Sequence, residues 1–251
     1  MEKIQKILNA MKECALRGGE MMLSHRSLHI EKKGPNDFVT DIDKSIQNMI
    51  ISRLQEDMPN AFYIAEEKDN SNELSGEGFI IDPIDGTHNF INGLPFSAVS
   101  IAYVCDKEVM AAVVYNPFRE EMFTAIKGEG AFLNNEKIHY RKRKLENALI
   151  LTEDLWEGDK MVIRKYATGF RCLGSAELAI CYVACGRAGG YISQPIHVWD
   201  YAAGKLILEE SGGIMIQKDG SPVKMVEPNQ IGACPVDEVD TLVKIWKEAE
   251  Q

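Results

Sequence analysis

The segment FIIDPIDGTHNF at residues 79–90 constrains this chain more than any other feature. Its apolar start at residues 79–81 is typical of a buried strand, and Pro83 lacks the N–H group that a sheet ladder requires. We therefore predict that the strand ends at Asp82 and that a turn follows. Pro83 stiffens the link between Asp82 and Asp85, which predicts two carboxylates held near one point.

Two carboxylates at this spacing repel each other unless they share a proton or bind a hard divalent cation. We favour the cation, because the backbone carbonyl of Ile84 would then offer a further oxygen ligand. Gly86 and Thr87 follow, and the N–H groups at a helix start bind phosphate well. The alternative is an ordinary loop in which both aspartates cap a turn and Thr87 caps a helix.

Two motifs resemble the signatures of one family. Residues 82–90, DPIDGTHNF, resemble the central signature of the inositol monophosphatase family, which consists of metal-dependent phosphomonoesterases. The strings WDYAAG at 199–204 and EESGG at 209–213 resemble its second signature. The resemblance implies an α+β / α/β layered fold in which helices and sheets alternate. It also implies an α+β N-terminal part at residues 1–145 and an α/β C-terminal part at 146–251, with the metal site in the cleft between them.

The resemblance further implies the residues of an active site. The expected metal ligands hold two or three Mg²⁺ ions, for which Mn²⁺ can substitute, and are Glu66, Asp82, the Ile84 carbonyl, Asp85 and Asp200. The expected catalytic residues, which position the attacking water, are Thr87, Asp43 and Glu66. The expected substrate or phosphate contacts are Asp85, Gly86, Thr87, Gly174, Ser175, Ser193 and Asp200. Lys32 falls where family members often carry a lysine near the metal site.

Ordinary structural roles compete with several of these assignments. Thr40 followed by Asp43 has the spacing of a helix capping box, and Asp200 would be the N-cap of a predicted helix. The acidic pair at residues 66–67 would be surface charge. Ala65 stands where the family usually has glycine, which matters if the backbone there needs a positive φ.

Apolar periodicity predicts the order of helices and strands. In the first half it predicts helices at residues 4–22 and after residue 40, a strand at 27–32, a loop at 34–36, and strands at 62–65, 97–105, 109–116, 121–126 and 131–133. The last four strands form an antiparallel meander. In the second half, strands at 149–152, 170–173, 191–193 and 214–216 alternate with helices at 159–166, 176–185 and 199–210. The pair Gly18–Gly19 predicts that another element approaches the first helix closely.

The formal net charge of −10 argues against a nucleic-acid-binding surface and fits metal dependence, since bound cations would reverse the local field at a phosphate site. No apolar run approaches the ~20 residues of a membrane span. The six cysteines include no C-x-x-C pair, so no zinc site is indicated. We expect a cytoplasmic protein, and the family resemblance adds a homodimer and sensitivity to lithium.

One position in the second half bears on the choice of substrate. Ser193 occupies the position at which inositol-specific family members carry a glutamate that contacts substrate hydroxyls. We therefore predict broad specificity for small phosphorylated alcohols. Fructose 1,6-bisphosphate, NADP and adenosine bisphosphate are alternative substrates within the superfamily. A non-enzymatic alternative is an accessory factor of the transcription machinery, for which the basic run RKRK at 141–144 is the one candidate docking feature.

Overall fold

The computed structural model describes residues 2–25, 27–34, 37–68, 74–140, 144–153, 157–225 and 229–249. The elements of the first half are α1 (Glu2–Ser24), β1 (Ile30–Gly34), β2 (Asp37–Thr40), α2 (Asp41–Asp57), β3 (Phe62–Ala65), β4 (Glu77–Asp85), α3 (Thr87–Ile91), β5 (Ala98–Cys105), β6 (Glu108–Asn116), β7 (Glu121–Ile126), β8 (Gly130–Leu133) and β9 (Glu136–Ile138). Those of the second half are β10 (Leu149–Thr152), α4 (Glu157–Tyr166), β11 (Gly169–Cys172), α5 (Ala176–Ala184), β12 (Gly190–Ile196), α6 (Ala202–Glu210), β13 (Gly213–Ile216), β14 (Asn229–Pro235) and α7 (Val239–Ala249).

Two large sheets organise these elements. The first has seven strands in the order β3-β4-β5-β6-β7-β8-β9, in which β3 and β4 are parallel and all other neighbours are antiparallel. The predicted meander is therefore confirmed. The second sheet has five strands in the order β11-β10-β12-β14-β13, with β10 parallel to both of its neighbours and β14 antiparallel to its two. Helices alternate with its first strands, as predicted.

The helices and sheets stack in five alternating layers. Helices α1 and α2 bury their apolar faces on one side of the seven-stranded sheet. Helices α5 and α6 lie between the two sheets, and their apolar residues share one core with both. Helices α4 and α7 cover the outer side of the five-stranded sheet. The predicted layered fold is confirmed, because each sheet buries both of its faces against helices.

The predicted boundary near residue 145 coincides with the change from one sheet to the other, since β9 ends at Ile138 and β10 begins at Leu149. Helix α6 nevertheless packs against strands of both sheets. The division into two domains stays a prediction. Within the described ranges, no helix combines the length and apolarity needed to cross a membrane.

Strand β4 departs from the prediction that it would end at Asp82. It continues through Pro83 to Asp85. The missing N–H of Pro83 costs nothing there, because β3 pairs with β4 only as far as Ile81 and the ladder with β5 skips the residues between Asp82 and Asp85. The N-terminal strand differs from its predicted bounds of 27–32, because β1 runs from Ile30 to Gly34. Residues 35–36 of the predicted loop lie outside the described ranges, and β2, which was not predicted, precedes the second helix.

Helix α1 crosses the seven-stranded sheet at its glycine pair, as predicted. An added Cβ on Gly18 would lie 3.1 Å from side-chain carbons of Ile46 and Val99. On Gly19 it would lie 2.6 Å from Cε1 of Tyr115 and 2.9 Å from Cβ of Pro117. The absence of a side chain at these two positions therefore lets the helix backbone approach β6 closely.

We expect Gly19→Val to destabilise the protein by about 1–3 kcal/mol, the usual cost of overpacking a filled core. The cost arises because the new side chain would overlap the Tyr115 ring and Pro117, so one of them or the helix must shift. Urea unfolding followed by far-UV circular dichroism measures the change. Glu20→Ala, at the exposed neighbouring position of the same helix, is the control. An unchanged midpoint for Gly19→Val would contradict the described crossing.

Candidate metal centre

Three aspartates from two distant segments of the chain line one cavity. Carboxylate oxygens of Asp82, Asp85 and Asp200 all lie within 4.8 Å of one another. Asp82 and Asp85 are buried and Asp200 is half-buried. This arrangement was predicted from the two sequence motifs, and a single cation is small enough to touch all three groups.

The end of β4 fixes the first two aspartates. The irregularity in its pairing with β5 falls between Asp82 and Asp85. An oxygen of the Asp82 carboxylate accepts a hydrogen bond from the Ile84 N–H, at 2.9 Å. The side chain of Asp82 is thus held by the backbone of its own turn, and the carbonyl of Ile84 is held between the two aspartates.

Asp85 is fixed by the start of helix α5. Its carboxylate accepts hydrogen bonds from the Ser175 hydroxyl, from the Ala176 N–H at 3.2 Å and from the Glu177 N–H at 3.0 Å. The first N–H groups of a helix have no partner within that helix, so Asp85 satisfies them from the neighbouring sheet. Ser175 also caps its own helix by accepting from Leu178. The start of α5 therefore holds the Asp85 carboxylate in place.

Asp200 lies in a 3-10 turn (Val198–Asp200) that precedes α6. The competing role of Asp200 as the N-cap of the following helix is not observed, because α6 begins at Ala202 and Tyr201 occupies the N-cap position. An oxygen of Asp200 instead accepts the His197 N–H at 2.7 Å. The tight turn places the carboxylate beside Asp85 before the helix begins.

Glu66 follows β3 and is joined to a lysine that the sequence analysis misassigned. Lys33 Nζ lies 3.1 Å from Glu66 Oε1 and 2.6 Å from Glu67 Oε1. Lys32, the expected residue, instead lies over the ring of Phe38, 5.9 Å from its centre. Adjacent residues of a strand point to opposite faces, so only one of the two lysines can face Glu66.

The backbone around Glu66 is also fixed. The amide side chain of Gln47 donates to the Glu67 carbonyl at 3.0 Å and accepts from the Glu67 N–H at 2.9 Å. Ala65, which replaces the usual family glycine, is the last residue of β3 and lies in extended backbone. No left-handed conformation is needed there, so the methyl group is accommodated.

Thr87 and Asp43 meet at the mouth of the site. The Thr87 hydroxyl lies 3.2 Å from an Asp43 oxygen and 3.0 Å from the Ile84 carbonyl, and it can donate its proton to either. The other Asp43 oxygen accepts from the N–H of Thr40, at 2.9 Å, and from its hydroxyl. The Asp43 N–H donates to that hydroxyl at 3.3 Å, which completes a capping box for α2. Asp43 therefore has the predicted capping role and also faces Thr87.

Two glycines allow the two halves to approach closely at the site. Gly86 has a φ of 85°, and a Cβ there would lie 2.8 Å from the carbonyl oxygen of Gly174. Gly174 has a φ of 67°. The Asn89 amide donates to the carbonyls of Phe96 and Leu173, both at 2.7 Å, and so ties the two loops together. Only residues that tolerate a left-handed backbone fit at positions 86 and 174.

The resulting cavity has a volume of about 180 Å³ and is lined by Phe38, Glu66, Asp82, Ile84, Asp85, Gly86, Thr87, His88, Gly174 and Asp200. The residues that line it do not include Ser193, which is 1% exposed. The Ser193 hydroxyl accepts from the Ile231 N–H at 2.9 Å and donates to the Ile231 carbonyl at 3.2 Å. Its substrate contact stays a prediction, and those two hydrogen bonds would have to open for it.

Burial makes these carboxylates costly to charge. It raises the pKa of Asp82 well above its ordinary range, and the charges of Glu66 and Asp85 raise it further. Burial raises the pKa of Asp85 to about 7, although the hydrogen bond from Ser175 lowers it. It raises the pKa of Glu66 to about 6 against the opposing charge of Lys33. Burial, followed by the charge of Asp85, also raises the pKa of Asp200.

These donors fit a hard divalent cation. The converging groups are carboxylate oxygens, with the Ile84 carbonyl among the groups that line the same cavity. Mg²⁺ and Mn²⁺ prefer such oxygen ligands, and a bound cation would offset the repulsion within the cluster. The predicted ligand set thus lines one cavity.

Sequence reasoning missed three supporting residues. Gln47 lies one helical turn after Asp43, and a polar residue at that spacing among apolar ones was a usable signal. Glu177 is the single charged residue in the apolar sequence of α5, AELAICYVA. Lys33 carried no such signal, because adjacent lysines on a strand differ only in which face they occupy.

Comparisons with known proteins agree with this geometry. The family model described as "Inositol monophosphatase family" matches residues 3–249. Inositol monophosphatase 2 of Solanum lycopersicum is 34% identical over 98% of this chain and 100% of its own length. The Nus factor SuhB of Escherichia coli (strain K12) is 34% identical over 91% of each chain.

A solved structure described as an IMPase/NADP phosphatase complexed with Mg²⁺ and phosphate superposes with a TM-score of 0.88. It is 26% identical to this chain, and the match covers 97% of this chain and 95% of the other. The alternating layers, the two motifs and these likenesses lead to one conclusion: the chain belongs to the inositol monophosphatase family.

Proposed function

We propose that the protein is a Mg²⁺-dependent phosphomonoesterase that acts on small phosphorylated alcohols with broad specificity. The observation that carries this proposal is the convergence of Asp82, Asp85 and Asp200, whose oxygens lie within 4.8 Å of one another in a cleft. Membership of the inositol monophosphatase family supports a phosphatase. The Mg²⁺ and phosphate bound by the solved relative support the same kind of chemistry here.

The proposed ligands of two or three Mg²⁺ ions are Glu66, Asp82, the Ile84 carbonyl, Asp85 and Asp200, which all line the same cavity. When bound, the cations would supply positive charge to an anionic phosphate and make water more acidic. Lys33 and Gln47 hold the Glu66–Glu67 turn in place for this purpose. The net charge of −10 otherwise opposes the approach of a phosphate ester.

The protein's own contribution is to hold a water molecule. Because the Thr87 hydroxyl donates toward Asp43 or Ile84, its oxygen retains lone pairs that can accept a hydrogen bond from water. Asp43 fixes the orientation of that hydroxyl and can take up its proton. A water fixed in this way is aligned with the phosphate before reaction, which lowers the entropic part of the barrier.

Phosphate contacts are proposed at Gly86, Thr87, Gly174 and Ser175, beside the carboxylates of Asp85 and Asp200. Gly86, Thr87 and Gly174 line the cavity, while the Ser175 hydroxyl acts through Asp85. Helix α3 has only five residues, so its dipole adds little to phosphate binding. Cytoplasmic location, a homodimer and lithium sensitivity accompany this proposal as expectations from the family.

An accessory role in transcription is the alternative. It is supported by the name of the SuhB relative, a Nus factor. The candidate docking run at 141–144 does not help to decide, because residues 141–143 lie outside the described ranges. The presence of the whole expected carboxylate set favours the enzyme.

Removal of divalent cations tests the proposal directly. We expect phosphate release to stop in EDTA and to return with Mg²⁺ or Mn²⁺, because an oxygen-ligand site prefers hard cations. Release of inorganic phosphate is the measurement, and addition of Li⁺ should inhibit it. Full turnover in metal-free buffer would refute metal dependence.

Asp85→Asn tests metal ligation, while thermal melting reports any loss of helix capping, because the new NH₂ group cannot accept from the Ala176 or Glu177 N–H. The amide keeps the shape of the side chain but removes the charge, so we expect a loss of activity of at least ~10²-fold, on the order of a disabled electrostatic clamp. Asp219→Asn is the control, because Asp219 also accepts a backbone N–H in a turn (Ser221, 2.9 Å) but is exposed. Thermal melting shows whether Asp85→Asn is folded. If the folded variant keeps near-normal turnover, Asp85 caps a helix and is not a metal ligand.

Substrate breadth is tested with a panel of esters. We expect several sugar and nucleotide phosphates to be hydrolysed, with inositol 1-phosphate preferred by no more than about tenfold, which equals roughly 1.4 kcal/mol of transition-state free energy. The reason is that position 193 offers a buried serine rather than a carboxylate for substrate hydroxyls. The measurement is kcat/KM for each ester at saturating Mg²⁺. Strict selectivity for inositol phosphate would show that another residue supplies the missing contact.

A further inference from the structure

Glu177 is a buried carboxylate to which the reaction described above assigns no role. It lies in the first turn of α5 and is 0% exposed. Burial, followed by the charge of Asp85, raises its pKa to about 8. A carboxylate in such a place is costly unless hydrogen bonds offset the loss of water. Because α5 is otherwise apolar, specific contacts must stabilise Glu177 there.

Hydrogen bonds from the start of α6 stabilise the Glu177 side chain. One oxygen of Glu177 accepts from the Ala203 N–H at 3.2 Å and from the Ser100 hydroxyl at 2.9 Å. The other oxygen accepts from the Gly204 N–H at 2.6 Å. Tyr201, at the N-cap of α6, makes no side-chain cap hydrogen bond. Glu177 therefore caps α6 from the neighbouring helix by accepting two of its first N–H groups.

The same residue is joined to Asp85 through its backbone. The Glu177 N–H donates to an Asp85 oxygen at 3.0 Å, while its side chain holds Ala203, three residues after Asp200. Asp85 belongs to the seven-stranded sheet, and Asp200 precedes the helix that Glu177 caps. Glu177 thus contacts Asp85 through its backbone and, through its side chain, the helix that follows Asp200. The oxygens of these two aspartates must converge at the site.

We propose that Glu177 is a positioning residue of the metal centre, which sets the separation of Asp85 and Asp200 by capping α6 from α5. The inference rests on the proposed function only in taking these aspartates as metal ligands. Partners behind the ligands of metal sites orient those ligands and tune metal affinity. A merely structural Glu177 would add stability without changing metal affinity.

Glu177→Gln is the sharpest test. Glutamine has the same shape, but its NH₂ group cannot accept from a backbone N–H, so either Ala203 or Gly204 loses its partner. We expect Mn²⁺ to bind about 10- to 100-fold more weakly, measured by titration calorimetry or by electron paramagnetic resonance of free Mn²⁺. Turnover should require correspondingly more Mg²⁺, with kcat largely recovered at saturation.

Glu210→Gln is the matched control. Glu210 ends the same helix, and its two oxygens accept the N–H groups of Gly128 and Gly130 at 2.7 and 2.8 Å. The substitution therefore also removes a carboxylate that accepts two backbone N–H groups, but at the opposite end of α6. We expect its Mn²⁺ affinity to equal that of the wild-type protein, whatever its melting temperature.

Gly204→Ala tests the same contact from the other side and replaces the first variant if that variant does not fold. A Cβ at this position would lie 2.5 Å from the accepting oxygen of Glu177, which would displace the carboxylate. We expect a weaker Mn²⁺ affinity here too. Unchanged Mn²⁺ affinity in whichever of the two variants folds would overturn the inference. Because Mn²⁺ binding needs no substrate, failure of the wild-type protein to hydrolyse any ester would instead refute the proposed function.

Discussion

The mutual repulsion of carboxylates in the cleft is the constraint on which the rest of the structure depends. Asp82, Asp85 and Asp200 gather negative charge where little water can screen it. Backbone N–H groups at the start of α5 and in the two turns oppose this repulsion, and Lys33 opposes it beside Glu66. The fold brings these donors together from both sheets, and a bound cation would neutralise the negative charge that remains.

Much of the fold was predictable because local patterns and tertiary structure agree there. The meander and the alternation of strands and helices follow from turn residues and apolar runs that act over a few residues. The aspartates at 82, 85 and 200 were predictable because each lies in a motif whose neighbours are also constrained. Gly86, for example, needs a positive φ and leaves no room for a side chain against Gly174.

The errors have a shared physical origin, since each concerns a choice that a distant partner makes. Pro83 can remain in β4 because β3 has already ended. The two lysines point to opposite sides of β1, and the position of Glu66 decides that Lys33 pairs with it. The start of α6 could not be read from its own residues, because its cap comes from Glu177 on another helix.

The central position of α5 and α6 has a consequence for how the protein matures. These helices share a core with both sheets, and the aspartates approach one another across the same layer. A nascent chain that has formed only its first sheet would hold Asp82 and Asp85 but would lack Asp200 and the helix that supports Asp85. Such an intermediate would bind cations poorly, whereas the docked state would be favoured by mass action as cations bind. The complete carboxylate cluster would therefore arise together with the final docking of the two sheets.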